Sequence, residues 1–212
     1  MIIGRTNRLA ELRSNKNTLT KSRYYYISHL ARDFIMDNCI CTLPVDLFYI
    51  IRKNNWKIIK YSSLIANNIM TYKEIMEYNW GFTEHYGENN YVIFYNDILN
   101  EQIQRFTLAH EIGHILLDHF NVNVENREQE ANMFAARLLM PMCVLHECNI
   151  SNSIEISLIC NVSLISANYR YKRLKILEQR NKFYTDKNEI KLRNIFKKFI
   201  KNYNKKLKKN KN

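Results

Sequence analysis

The chain has 212 residues, of which 46% are hydrophobic and 25% charged, and its formal net charge is +12 at neutral pH. This length and balance indicate one globular domain, or one domain with a small appendage, and exclude a chain that is disordered throughout. Four glycines and two prolines exclude collagen-like and proline-rich repeats.

The first predicted elements are helical. Apolar residues at loosely helical spacing predict one or two helices within residues 5–36. Thr42, Pro44 and Asp46 then form a helix-start pattern, in which Thr42 is the expected cap, proline suits the first turn and the aspartate favours the positive end of the helix dipole. We expect this second helix to end near residue 54.

Strands are predicted in the next part of the chain. Residues 56–61 indicate a short strand, and residues 63–79 are ambiguous, with some helical character. Residues 81–90 suggest a hairpin region, and the β-branched and aromatic residues of 90–95 predict another strand. Together these segments predict a small antiparallel sheet.

The second half of the chain is predicted to be helical. The segments are 105–118, 129–139, 154–160 and 163–179, and the last two form a C-terminal helical hairpin. We therefore predict an α+β fold that is mainly helical, with the small antiparallel sheet next to the helix at 105–118.

Positive charge is concentrated at the two ends. Residues 187–212 contain 11 lysines and arginines and one acidic residue. Residues 1–32 contain seven lysines and arginines and one acidic residue, whereas residues 33–186 carry a net charge of −4. We interpret the lysine-rich end as a solvated, fraying terminus, because blocks of like charge repel each other. Such a tail could also make weak, non-specific contacts with nucleic acid.

Cysteine usage and the beginning of the chain bear on location. Five cysteines are present and no CxxC pair occurs, so a disulfide framework or a four-cysteine zinc site is not expected. The N-terminal residues lack the pattern of a signal peptide, and no apolar run approaches the roughly 18 residues that span a bilayer. We expect a cytoplasmic protein with no membrane association.

The sharpest motif is the run from His110 to His114, which has the form HExxH. Residues four apart on a helix share one face, so the two imidazoles can bind one small metal ion. Glu111 lies beside them as the candidate general base that would polarise an attacking water. Zinc suits such ligands and promotes water attack on a carbonyl, which predicts one zinc ion per chain.

A catalytic zinc needs a third protein ligand, and the next helix offers two glutamates. Glu128 is favoured because Asn132, four residues later on the same face, could orient a metal-bound histidine, as in thermolysin-like enzymes. Glu130 is the alternative ligand; it lies about 200° further round the helix, so both glutamates cannot face the metal. His119 is a weaker candidate that we expect at the surface near the end of the motif helix.

The chain resembles the ImmA/IrrE metallopeptidase family. The residues that carry the resemblance are 105–114, RFTLAHEIGH, and the run from Glu128 to Pro141, and the similarity extends over roughly residues 25–180. It predicts a metallopeptidase domain at 25–180 between a basic N-terminal segment, 1–24, and a lysine-rich tail, 181–212.

The resemblance implies a gluzincin-like zinc endopeptidase. In it His110, His114 and Glu128 hold the metal and Glu111 is the base. It also implies a bacterial or phage protein whose substrate is a helix-turn-helix repressor or antitoxin encoded nearby, cleaved to relieve repression. A residue that stabilises the oxyanion is not selected by the sequence: Tyr91, Tyr95, Tyr169 and Tyr171 are all candidates.

The alternative hypothesis is a regulatory or DNA-binding protein that keeps the metallopeptidase fold without catalysis. Residues 154–178 could form a helix-turn-helix-like pair with a basic side made of Arg170, Lys172, Arg173 and Lys175. We favour the enzyme because Glu111 would bind no metal, so a non-catalytic protein has no chemical need for it.

Overall fold

A computed structural model of the chain describes residues 19–78, 80–121, 125–183 and 187–209. The part of the first predicted helix before residue 19 lies outside the described residues. The elements, in chain order, are α1 Lys21–Asp37, α2 Leu47–Lys53, β1 Lys57–Lys60, α3 Tyr61–Ala66, α4 Tyr72–Tyr78, β2 Gly81–His85, β3 Tyr91–Tyr95, α5 Glu101–Leu116, α6 Arg127–Leu139, α7 Met142–Glu147, α8 Ser153–Cys160, α9 Leu164–Gln179, α10 Lys187–Ile195 and α11 Lys197–Lys209.

This architecture confirms the mainly helical α+β prediction. Helices α8 and α9 form the predicted hairpin, with Asn161 in the left-handed region between them and Ser163 capping α9 through its hydroxyl. Within the described part of the chain, no helix is both long enough and apolar enough to cross a membrane.

The sheet is mixed, which corrects the prediction that it is antiparallel. Strand β3 lies in the centre, antiparallel to β2 and parallel to β1. Helices α3 and α4 lie between β1 and the β2–β3 hairpin. This connection is long enough for the crossover that parallel pairing of β1 with β3 needs. Alternate β3 side chains enter two cores, because Ile93 packs among the helices while Val92 and Phe94 pack with Tyr61.

The second helix begins later than predicted. Asp46, and not Thr42, is its N-cap: its carboxylate accepts a hydrogen bond of 2.9 Å from the backbone N–H of Tyr49. Pro44 follows a cis peptide bond and lies before the helix. The Asp46 carboxylate therefore accepts the hydrogen bond from the helix N-terminus that the sequence pattern had assigned to Thr42.

Helices α5 and α6 pack closely at a glycine in the middle of the HExxH motif. A Cβ on Gly113 would lie 3.1 Å from the Cα of Ala131 and 3.2 Å from the Phe134 ring. Most side chains at residue 113 would therefore push the two helices apart. Helix α1 packs on the other side of α6, so α6 is held between the motif helix and α1.

The lysine-rich end is folded, which corrects the expectation of a solvated, fraying terminus. Residues 187–209 form α10 and α11, and Leu192, Phe196 and Ile200 are buried in the main core. Apolar residues on one face thus outweigh the repulsion among the lysines, which are exposed along the rest of α11.

Candidate metal centre

Helices α5 and α6 bring three metal-ligating side chains to one point. His110 and His114 lie one turn apart on α5 with their Nε2 atoms 2.9 Å apart. From the first turn of α6, the Glu128 carboxylate places Oε2 3.2 Å from Nε2 of His110 and Oε1 3.4 Å from Nε2 of His114. In the described part of the chain, these three residues form the group that could hold a metal ion.

The geometry of this group fits zinc. Ligand atoms about 2.1 Å from a tetrahedral zinc ion are about 3.4 Å apart. The two carboxylate–imidazole distances, 3.2 and 3.4 Å, are close to that value, and the distance of 2.9 Å between the two imidazole nitrogens is about 0.5 Å shorter. Two imidazoles and a carboxylate are also a donor set that catalytic zinc sites use, leaving a fourth position for water or substrate.

Asn132 fixes the orientation of His110. Its Oδ1 lies 2.9 Å from Nδ1 of His110. An amide oxygen only accepts hydrogen bonds, so Nδ1 of His110 carries the proton and Nε2 presents its lone pair to Glu128 and His114. The structure therefore places the predicted Glu128 and Asn132 pair on the motif side of α6.

A chain of polar side chains behind His114 performs the same task. Nδ1 of His114 lies 2.9 Å from Nδ1 of His119, and Nε2 of His119 lies 3.0 Å from Oε2 of Glu130. Arg23 holds that carboxylate through two hydrogen bonds of 2.6 Å from Nε and a terminal nitrogen. With His119 donating to Glu130, its Nδ1 accepts the hydrogen bond from Nδ1 of His114, so Nε2 of His114 carries the lone pair that a metal ion needs.

The pKa values of His119 and Glu130 agree with that assignment of protons. Burial lowers the pKa of His119 despite the neighbouring Glu130, so the ring is neutral and can donate through one nitrogen and accept through the other. Burial alone would raise the pKa of Glu130, but hydrogen bonds from Arg23 and His119 outweigh it and hold the pKa below its ordinary value.

His119 is buried, which corrects its predicted place at the surface. Only 6% of the residue is exposed. Helix α5 ends at Leu116 instead of continuing to Asp118, and Asp118 adopts a left-handed conformation with φ of 55°. The chain therefore turns back, and His119 returns to the motif face. The sequence signal was a third histidine shortly after the motif. A helix continuing to Asp118, as predicted, would have directed this side chain away from the motif face.

Glu130, the alternative ligand, lies outside the metal-binding group. Its side chain is 2% exposed, and its oxygens contact Arg23 and His119. Of the two glutamates, the structure thus brings Glu128 to the histidines and Glu130 to the supporting chain. Arg23 comes from α1, more than a hundred residues away in sequence, and no local pattern could have identified it.

Glu111 is positioned by the sheet. The residue is 3% exposed, and its Oε2 accepts a hydrogen bond of 3.0 Å from the Thr83 hydroxyl on β2. The strand lies close to α5 because Gly81 has no side chain: a Cβ there would lie 2.6 Å from the Thr107 methyl group. Thr83 was not predicted as a site residue, since a threonine in a strand carries no distinguishing pattern.

A small cleft lies between α5, α6 and α9. Its volume is about 240 Å³, and its lining includes Phe106, Ala136 and Tyr169. The Phe106 and His110 rings are 6.5 Å apart. Of the four candidate tyrosines, Tyr169 is exposed and lines this cleft, whereas Tyr171 donates its hydroxyl proton to the backbone oxygen of Ser151.

Comparison with known families supports a metallopeptidase-like function. A peptidase family model described as the IrrE N-terminal-like domain matches residues 69–172. This range contains the HExxH motif, Glu128 and the hairpin of α8 and most of α9, and it confirms the resemblance seen in the sequence. A search of curated proteins finds no matching relative. The predicted domain limits at residues 25 and 180 stay a prediction.

Proposed function

Because a family model described as the IrrE N-terminal-like domain matches residues 69–172, we propose that this protein is a zinc-dependent endopeptidase that cleaves a helix-turn-helix repressor or antitoxin. One observation carries the proposal: His110, His114 and Glu128 converge within bonding range of a single ion, with Glu111 buried beside them. Such a set of residues fits the hydrolysis of a peptide bond.

The residues of the chain divide the work of that reaction. A bound zinc ion would polarise the scissile carbonyl and make an attacking water more acidic. Glu111, held by Thr83, accepts the proton of that water and passes it to the leaving amine. Asn132 and His119 keep the two imidazoles in the tautomer that presents Nε2.

The form of the substrate follows from access to the site. The metal-binding group lies between packed helices, so a peptide must approach in an extended form. A flexible linker between two folded parts of a repressor meets that need better than a folded domain. Residues 33–186 carry a net −4, which would attract the basic DNA-reading face of a repressor encoded nearby. We place the reaction in the cytoplasm, because all five cysteines are free thiols.

The test is co-incubation of the purified protein with the repressor encoded beside it. We expect two fragments from a cut in the linker, and no cleavage after zinc is removed by a chelator. Glu111→Gln should retain zinc and lose at least about a hundredfold in rate, the usual contribution of a general base. Loss of zinc from Glu111→Gln would contradict the role assigned to Glu111.

The non-catalytic alternative is separated by the same experiment. If the repressor stays intact while its release from the operator still depends on this protein, the fold serves regulation. One observation argues against direct DNA reading by α8 and α9. Of the four basic residues predicted on α9, Arg170 and Arg173 line an internal cleft instead of an exposed helix face.

Weak nucleic-acid contact is better assigned to α11. Seven lysines lie on this helix, all of them exposed: Lys197, Lys198, Lys201, Lys205, Lys206, Lys208 and Lys209. An exposed row of lysines attracts phosphate groups without reading base sequence. We propose that this contact is secondary to proteolysis and keeps the enzyme near a DNA-bound substrate.

A further inference from the structure

A second concave site lies away from the metal centre, between α1, α9 and α10. Its volume is about 580 Å³, within the range typical of small-molecule sites. We call it the arginine cleft. Its lining includes one acidic residue, Glu189, and seven lysines and arginines among the described residues: Lys21, Arg32, Arg137, Arg170, Arg173, Arg180 and Lys182.

Three arginines inside the cleft lie close to Tyr24 or to one another. The guanidinium carbon of Arg137 is 4.5 Å from the centre of the Tyr24 ring and that of Arg173 is 5.9 Å from it. Arg173 also donates to the Tyr24 hydroxyl at 3.3 Å. Arg170 lies one turn before Arg173 on α9 and lines the same wall.

Among the described residues, these three arginines donate hydrogen bonds to neutral groups. Arg137 donates to the Ser28 hydroxyl at 2.8 Å and to the Met133 backbone oxygen at 3.1 Å. Arg170 donates to the Met140 backbone oxygen at 2.7 Å. Within the part of the chain that the structure describes, no carboxylate forms an ion pair with Arg137, Arg170 or Arg173.

The arrangement is electrostatically unfavourable as it stands. Burial, with repulsion from Arg137, lowers the pKa of Arg170 to about 9. Burial also lowers the pKa of Arg137, which Arg173 repels in turn. In the described part of the chain, one carboxylate, Glu189, lines the cleft together with seven cationic side chains, so positive charge is in excess there. Clustered guanidinium groups are stabilised by an anion, and their planar donors match phosphate oxygens in pairs.

We propose that the arginine cleft binds a small phosphate-bearing molecule with at least two negative charges. This goes beyond the proposed peptidase activity and does not depend on it. Three guanidinium groups exceed what a single negative charge needs. The arginines are half-buried in a concave wall, so a small molecule reaches them more easily than the backbone of a DNA duplex, which meets exposed side chains.

Calorimetric titration of the full chain tests the proposal. The probes are inorganic phosphate, pyrophosphate and ATP, with citrate as a carboxylate control and a DNA duplex as a competitor. We expect pyrophosphate or ATP to bind more tightly than inorganic phosphate or citrate. Arg173→Gln should weaken that binding by about tenfold or more, the effect of losing one charge-assisted hydrogen bond. Lys172→Gln, an exposed change on the same helix, is the matched control and should bind as the unaltered chain does.

Two further variants keep the result interpretable. His114→Ala should bind pyrophosphate as the unaltered chain does. A loss of pyrophosphate binding in this variant would show that the anion binds at the metal centre and not in the arginine cleft. Arg180→Gln, at the exposed rim, replaces Arg173→Gln if the latter does not fold, and it should weaken binding less. Equal affinity of Arg173→Gln and the unaltered chain, tighter binding of citrate than of pyrophosphate, or binding of the duplex alone would each overturn the proposal.

Discussion

The metal centre and the arginine cleft both use side chains of α6, but they suit ions of opposite charge. Near the start of α6, Glu128 and Asn132 direct oxygen atoms toward the two imidazoles, and the resulting cluster of acceptors suits a cation. Near the end of α6, Arg137 joins Arg170 and Arg173 in a cluster of donors that suits an anion. Each cluster concentrates one kind of group at one place.

The difference lies in how each region is supported. Both imidazoles of the metal centre have a fixed hydrogen-bond acceptor behind them, and the chain behind His114 ends in a charged pair between Glu130 and Arg23. Among the described residues, the three arginines inside the cleft donate hydrogen bonds to backbone and hydroxyl oxygens. In the metal centre, hydrogen bonds therefore fix the orientation of each imidazole. In the cleft, positive charge is already gathered, but the arginine side chains are held less firmly.

The largest expected effect separates the two glutamates of α6. Three ligands share the roughly 10–16 kcal/mol with which proteins bind zinc in closed sites, so Glu128→Gln should lower zinc affinity by about a thousandfold. Glu130→Gln, the matched change two residues away, should lower it by about tenfold through His119. Competition with a chromophoric chelator measures both. A larger decrease in Glu130→Gln would make Glu130 the ligand and remove the role of Asn132.

The sequence could group the candidate metal-binding side chains because their spacing is local. His110 and His114 are fixed by one turn of helix, and Glu128 and Asn132 by one turn of the next. Arg23, Thr83 and His119 could not be identified, because their positions depend on how α1, β2 and the end of α5 pack. A hydrogen bond across more than a hundred residues leaves no periodic signal.

The next prediction concerns α10 and α11, the first of which contributes Glu189 and Leu192 to the arginine cleft. Phe196 is fully buried where α10 meets α11, so Phe196→Ala should lower the free energy of unfolding by about 3–5 kcal/mol. Denaturant unfolding measures this change, and the zinc content of the folded fraction should stay at one per chain. Lys198→Ala, an exposed neighbour, should change stability little. A stable Phe196→Ala protein would restore the interpretation of this end as a fraying terminus.

The misjudged tail and sheet have a common cause. Charge dominates the composition of residues 187–209, yet Leu192, Phe196 and Ile200 recur every four residues and suffice to dock two helices. The sheet was predicted to be antiparallel, whereas β1 pairs in parallel with β3, which follows it only after two helices and strand β2. Local patterns predicted the elements, and long-range packing decided which of them became neighbours.

A smaller effect is expected at the support of the metal centre. His119→Ala removes the acceptor for Nδ1 of His114 and should weaken zinc binding about 10–100-fold, while leaving the three ligands in place. Asn132→Ala should act in the same range through His110. His29→Ala, in the arginine cleft, is the control and should leave zinc affinity unchanged. Unaltered zinc affinity in His119→Ala would mean that the chain from Arg23 serves stability alone.

The smallest effect is expected on the exposed lysines of α11, which belong to neither concave site. Replacing Lys201, Lys205 and Lys208 by glutamine removes three charges from one face of the helix, away from the buried Ile200. Non-specific DNA binding should weaken, and the slope of log affinity against log salt should fall by about 0.9 for each phosphate that the helix no longer neutralises. Fluorescence anisotropy with a duplex at several salt concentrations measures both quantities.

The control for this last prediction is the same change at Lys57, Lys60 and Lys73, which alters net charge equally on the side of the sheet and α4. If DNA binding depends on the row of lysines on α11, the control triple variant should keep most of the affinity and the slope. Equal decreases in the two variants would mean that overall charge attracts the DNA and that α11 has no special part. Zinc content and pyrophosphate binding should be unchanged in both, because the lysines touch neither the metal centre nor the inner arginines of the cleft.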